Sequence, residues 1–194
     1  MLGRRQTLFI VGLVSTVSVV GGWVWSSLGN ESGTQAPALT LTPGSDVQTF
    51  PTNAANEGEP LAEVTLQNAD GDKVSTADLY DKPLIINFWF STCEPCRREM
   101  PVLEQAHGTW GDAINFVGVN PQDNATGAEE FAAKYGVDYR LLADKNGALV
   151  SKAGISTFPT TLFVDTNGNV VLQYAGELSR ETLAASIKDA FGLK

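Results

Sequence analysis

A continuous apolar run, Pro83-Leu84-Ile85-Ile86-Asn87-Phe88-Trp89-Phe90, stands just before the tetrapeptide Cys93-Glu94-Pro95-Cys96, with only Ser91 and Thr92 between them. A run of this length without polar alternation predicts a strand buried on both faces, the kind found at the centre of a partly parallel sheet. Proline at 95 suits the first turn of a helix, where no amide hydrogen is required. The spacing therefore predicts a buried strand that turns at once into a helix opening on two cysteines and running toward His107.

The rest of the chain builds around that unit. Glu63–Gln67 alternates weakly and meets Asp70-Gly71, which predicts a short hairpin. Ile114–Val119 reads as a second buried strand, Thr126–Tyr135 as a helix stopped by Gly136, Tyr139–Ala143 as a strand and Ala148–Ala153 as a short helix. Thr160–Val164 and Val170–Tyr174 flank Asp165-Thr166-Asn167-Gly168, a hairpin with Asn-Gly at its tip. Ser179 is positioned to cap a last helix whose apolar residues Leu183, Ile187 and Phe191 recur at spacings of four. Central parallel strands with flanking helices, closed by an antiparallel hairpin, predict a mixed α/β sandwich.

Composition narrows the chemistry. The chain has 22 acidic and 13 basic residues, a net charge of −9. Such a surface repels phosphate backbones, which argues against nucleic-acid binding. It has two cysteines and one histidine (His107), too few for a structural zinc site of about four ligands. Redox chemistry, a short incidental disulfide and capture of a soft metal by two thiols remain. In a strand–CxxC–helix context the thiolate at Cys93 meets the unpaired amides and positive end of the helix. Cys96, one turn inside, can close the ring and release a mixed disulfide.

The N-terminus adds a membrane signal. Residues 6–30 carry no charged side chain, Arg4 and Arg5 precede them, and the next charge is Glu31. The apolar part, Leu8 to Trp25 and on to Leu28, can nearly cross a ~30 Å hydrocarbon core as a helix. Residues 1–28 are thus expected to be an uncleaved signal-anchor with Met1 in the cytoplasm. The competing reading, a cleaved secretory signal, also delivers the remainder outside the cytoplasm. Residues 29–60, rich in Gly, Pro, Ser, Thr and Asn, are expected to be a flexible linker, and residues 61–194 the folded domain.

The string Asn87-Phe88-Trp89-Phe90-Ser91-Thr92-Cys93-Glu94-Pro95-Cys96-Arg97-Arg98-Glu99-Met100-Pro101 resembles the active-site segment of the TlpA/ResA branch of thioredoxin-like proteins. Pro101 matches the helix-kinking proline of that fold, and Thr157-Phe158-Pro159-Thr160-Thr161 matches its cis-proline loop. The resemblance implies a thioredoxin-like three-layer α/β sandwich with a mixed central sheet, with Thr126–Ala143 as the TlpA-like central αβ insertion. It implies an extracytoplasmic thiol–disulfide oxidoreductase that uses no cofactor or metal, with Cys93 and Cys96 as the redox-active pair. Its substrates would be proteins with disulfides, often apocytochrome c, and its electron donor a membrane thiol transporter of the CcdA or DsbD kind. Glu94, Pro95, Phe158 and Pro159 would line the substrate site, Phe158 by leaving backbone groups to pair with a substrate strand.

Two departures stand out. Asn87 occupies the place of thioredoxin's buried aspartate, and Thr92 replaces the tryptophan that often precedes the first cysteine. Glu99 matches an acidic residue of ResA-like proteins and has two readings: a catalytic group that tunes thiol protonation, or a solvated carboxylate paired with Arg97 or Arg98. His107, Arg97 and Arg98 read as solvated, and Phe88 and Trp89 as core and site wall. Glu94 beside Cys93 disfavours its thiolate, which predicts a reductant rather than an oxidant. Two other functions fit a thioredoxin fold: Cu(I) delivery through both thiolates with Met100 or His107 as a third ligand, and a thiol peroxidase, against which the paired cysteines argue.

Overall fold

The computed structural model describes residues 52–193. The expected anchor at 1–28 and the linker up to residue 51 lie outside the described residues. Among the described residues no helix is long and apolar enough to cross a membrane.

The chain begins with a hairpin of β1 (Thr65–Gln67) and β2 (Lys73–Ser75), in register Leu66 opposite Val74. The double-sided apolar run becomes β3 (Leu84–Phe88), every residue of it buried. It passes through the cysteine segment into α1 (Glu94–Trp110), then β4 (Asn115–Asn120), α2 (Ala125–Tyr135) and β5 (Arg140–Ala143). The short helix α3 (Ala148–Lys152) precedes the hairpin β6 (Thr160–Val164) and β7 (Val170–Ala175), and α4 (Arg180–Phe191) ends the fold. The Ser179 hydroxyl accepts from the Thr182 amide, the cap that the sequence places there.

The strands form one seven-stranded sheet in the order β2-β1-β5-β4-β3-β6-β7. β3, β4 and β5 are parallel, while β6 runs antiparallel to β3, and β1 to β5. Two successive crossovers, β3-α1-β4 and β4-α2-β5, step in one direction across the sheet, so right-handed connections put both helices on the same face. The α2–β5 unit lies where the sequence predicts a helix and a strand, and β5 separates β4 from the N-terminal hairpin.

Side-chain alternation splits the core in two. Leu84, Ile86 and Phe88 join Leu66, Leu149, Leu162 and Val164 on one face. Ile85 and Trp89 join Met100, Leu103, Phe163, Leu183 and Ile187 under α1 and α4 on the other. A period of two along fully buried strands produces this division. Among the described residues the layers are uneven, because the first face is covered by the five-residue α3 and loop segments rather than by long helices.

The end of the expected flexible linker is held to the domain. Gly58 N–H donates to Val170 O at 2.8 Å, and Val170 N–H donates to Glu59 O at 2.9 Å. These bonds occupy main-chain groups of the edge strand β7, which would otherwise be open to solvent or to another chain. Residues 53–60 are therefore hydrogen-bonded to the domain that follows them.

Candidate active site

Cys93 is the N-cap of α1, and Pro95 lies in the first turn. The two cysteines are joined in a disulfide with their Cα atoms 5.3 Å apart. Cys96 is fully buried and Cys93 is 6% exposed, so the outer sulfur is the one that a partner can reach. The Cys96 amide points at Cys93 Sγ, 3.3 Å away. When the pair is reduced, this donor and the helix end favour negative charge on Cys93.

The segment leading into Cys93 is fixed by a residue that the sequence did not single out. The Asp123 carboxylate accepts from the Ser91 amide and hydroxyl, each at 2.7 Å, and from Asn120 Nδ2 at 2.7 Å. Partial burial pushes that carboxyl up, but these hydrogen bonds outweigh it and hold the group below its ordinary range. No local pattern announces this contact, since Ser91 and Asp123 are 32 positions apart.

The cis-proline loop lies beside the cysteines, as expected. The Phe158–Pro159 peptide is cis. Antiparallel pairing sets Phe88, at the end of β3, opposite Thr160, at the start of β6. The register brings the loop before Thr160 alongside the loop that leads to Cys93. Phe158 packs edge-on against Phe90 with ring centroids 5.2 Å apart, and the Phe90 carbonyl accepts from Cys93 N–H at 3.1 Å. Among the described residues, Phe158 makes no main-chain hydrogen bond.

Glu99 differs most from its plainer reading. It is fully buried rather than solvated, and neither Arg97 nor Arg98 is its partner. One carboxylate oxygen accepts from Asn87 Nδ2 at 2.7 Å and the other from Leu178 N–H at 3.0 Å. Asn87 also donates to Thr161 Oγ1 at 3.1 Å. Burial raises the Glu99 pKa to about 7, more than these two hydrogen bonds lower it. The carboxyl group sits one helical turn from Cys96 and is poised to exchange a proton near neutral pH. Tyr139, also buried, has its hydroxyl pushed up by desolvation and by the Glu99 and Glu104 carboxylates.

The arginines serve other acids. Arg97 pairs with Glu94, and Arg98 lies 3.7 Å from Glu94 and 2.6 Å from Glu177. The Arg98–Glu177 contact holds the loop whose next residue, Leu178, donates to Glu99. Glu94 itself is exposed at the mouth of the site, and Pro95 is half-buried beside it. His107 is half-buried, with its ring near Phe116 and Tyr139 and its Nδ1 3.6 Å from Glu104. It stands eleven residues beyond Cys96 on α1, roughly 16 Å along the axis, out of reach of an ion shared with the thiols. Trp89 is core, stacked on Phe131 of α2 at 5.3 Å.

Known proteins are similar to this chain. Thiol-disulfide oxidoreductase ResA of Halalkalibacterium halodurans is 27% identical over 128 residues, covering 66% of this chain and 73% of that protein. The thioredoxin-like protein YneN of Bacillus subtilis is 28% identical over 130 residues, 66% of this chain and 76% of its own. The crystal structure of a thiol:disulfide interchange protein of the thioredoxin family from Chlorobium tepidum superposes with a TM-score of 0.60 at 26% identity, over 71% of this chain and 97% of that one. The Redoxin family profile matches residues 31–190. Together with the buried strand, the capped cysteine pair and the cis-proline loop, that match establishes that the chain belongs to the Redoxin family.

Proposed function

We propose that the chain is an extracytoplasmic thiol–disulfide oxidoreductase that reduces disulfides in protein substrates. The observation that carries this reading is the Cys93–Cys96 pair at the N-terminus of α1, with Cys93 outermost and Glu99 buried one turn from Cys96. In the reduced state the Cys93 thiolate attacks a substrate disulfide, forms a mixed disulfide and expels one substrate thiolate, which takes up a proton. Cys96 then loses its proton to the Glu99 carboxylate and attacks Cys93 Sγ. The second substrate sulfur leaves as a thiolate, and Glu99 returns the proton to it. Two electrons pass to the substrate, and the Cys93–Cys96 disulfide remains.

Glu94, Pro95, Phe158 and Pro159 frame the docking surface, with the Phe158 main chain, unpaired among the described residues, available to a substrate strand. The electron donor is a membrane thiol transporter of the CcdA or DsbD type, and apocytochrome c is the favoured substrate class. Both follow from the TlpA/ResA resemblance. The apolar segment at 1–28 supports a membrane anchor with the domain on the outer face.

The direction of transfer follows from what surrounds Cys93. Both nearby arginines are already engaged by Glu94 and Glu177, and no histidine lies between the cysteines. The helix end is then left as the main stabiliser of the thiolate, which favours the disulfide form and makes the dithiol reducing. Equilibration with a glutathione or dithiothreitol couple tests this. A midpoint potential nearer to about −270 mV, as in thioredoxin, is expected, and one near about −120 mV, as in DsbA, would overturn the reductant reading.

A further inference from the structure

Asn53, near the start of the described residues, holds the substrate loop. Asn53 Oδ1 accepts from Ser156 N–H and from Thr157 N–H, both at 2.8 Å, while its Nδ2 donates to Thr160 Oγ1 at 2.6 Å. One side-chain amide therefore bonds the chain on both sides of Phe158-Pro159. Thr160 Oγ1 in turn donates to Thr157 O at 2.8 Å and closes the loop on itself. The partners are more than a hundred residues from Asn53 in sequence. The bonds thus fix the loop against an independent segment rather than against its own neighbours.

That segment is anchored. Ala54 N–H donates to Gly154 O at 3.0 Å, and Asn56 Nδ2 reaches Ala153 O at 2.9 Å and Gln173 Oε1 at 2.7 Å. It lies so close that a Cβ at Gly154, where φ is +56°, would stand 2.6 Å from the Ala54 Cβ. The amide also has the right chemistry: two converging N–H groups need an acceptor, and Thr160 Oγ1, whose proton goes to Thr157 O, needs a donor.

We propose that Asn53 is a positioning residue for substrate reduction, which sets the Thr157–Thr160 loop so that the Phe158 main chain is presented to a peptide beside Cys93. This rests on the reading of Phe158 as a docking strand. The role concerns substrates that have a main chain to pair, and matters less for a small disulfide that reaches Cys93 without one.

The test compares two probes on the full chain in its reduced form: an oxidised Cys-x-x-Cys-His peptide and the small aromatic disulfide dithiobis(nitrobenzoate). Asn53→Ala is expected to lower kcat/KM for the peptide about tenfold, mostly through KM. The rate with the small disulfide falls several times less, and the midpoint potential stays at the wild-type value. Asn53→Asp keeps the acceptor for Ser156 and Thr157 and recovers most of the loss. Gly154→Ala, which lifts the segment with Asn53 intact, reproduces the peptide-selective defect. Parallel losses with both probes would show a merely structural role and overturn the proposal, as would no loss with the peptide. A wild-type chain that reduces neither probe would instead overturn the oxidoreductase reading itself.

Discussion

The side-chain amide of Asn87, one residue from the end of β3, donates to the Glu99 carboxylate of α1 at 2.7 Å in the interior of the protein. The aspartate of thioredoxin is replaced at its strand position, and an acidic group reaches the same layer from the helix instead. Glu99 also ties three elements together, since its other oxygen holds Leu178 at the start of the last helix.

The stability of the oxidised protein is expected to depend on pH through Glu99. Its folded pKa of about 7 lies above the ordinary 4.5, so the folded state binds more protons than the unfolded state between those values. Stability is therefore fully present below pH 4.5 and declines as pH rises through 7, by about 3 kcal/mol in all. Urea unfolding of wild type and Glu99→Gln across pH 4–8 checks this. The stability of wild type relative to the variant should fall across that window, and a constant difference would contradict the assignment.

Asn87→Asp would set two carboxyl groups against each other in a site that water does not reach. Only one can ionise easily, so the variant should lose about 3 kcal/mol at pH 8. At pH 5 the loss should be much smaller, because the pair then keeps a proton. Chemical denaturation at the two pH values measures the difference directly.

Gly118, in β4, is where the indole of Trp89 passes over the sheet. A Cβ there would stand 2.9 Å from Trp89 Nε1 and 2.7 Å from Leu141 Cδ2. Both neighbours belong to the packed layer under α2, so Gly118→Ala should cost about 1–3 kcal/mol. Trp89 fluorescence and the thermal midpoint should shift together.

How far the sequence discloses these features depends on whether they are local. β3 is legible because a strand buried on both faces must be apolar at every position. The last helix is legible because Ser179 and the spacing of Leu183, Ile187 and Phe191 lie within a few turns. Glu99 was half legible. Cys96, Met100 and Leu103 mark a buried helical stripe, and a residue three positions after Cys96 falls on it, yet a carboxylate among charged neighbours reads as solvated. What offsets part of its burial cost is an amide from β3 and a main-chain N–H at Leu178, and a main-chain donor leaves no mark in composition. Asn53 and Asp123 were not legible for the same reason: each acts on backbone groups far away in sequence, from segments that look like ordinary polar loop.

The central claim is that Cys93 attacks and Cys96 resolves, and trapping tests it most directly. The reduced Cys96→Ser variant, mixed with an oxidised Cys-x-x-Cys-His peptide, should accumulate a covalent adduct that mass spectrometry maps to Cys93. Wild type should release the reduced peptide and gain its own disulfide. No adduct on Cys93, or an equal adduct on Cys96 in the Cys93→Ser variant, would contradict the account.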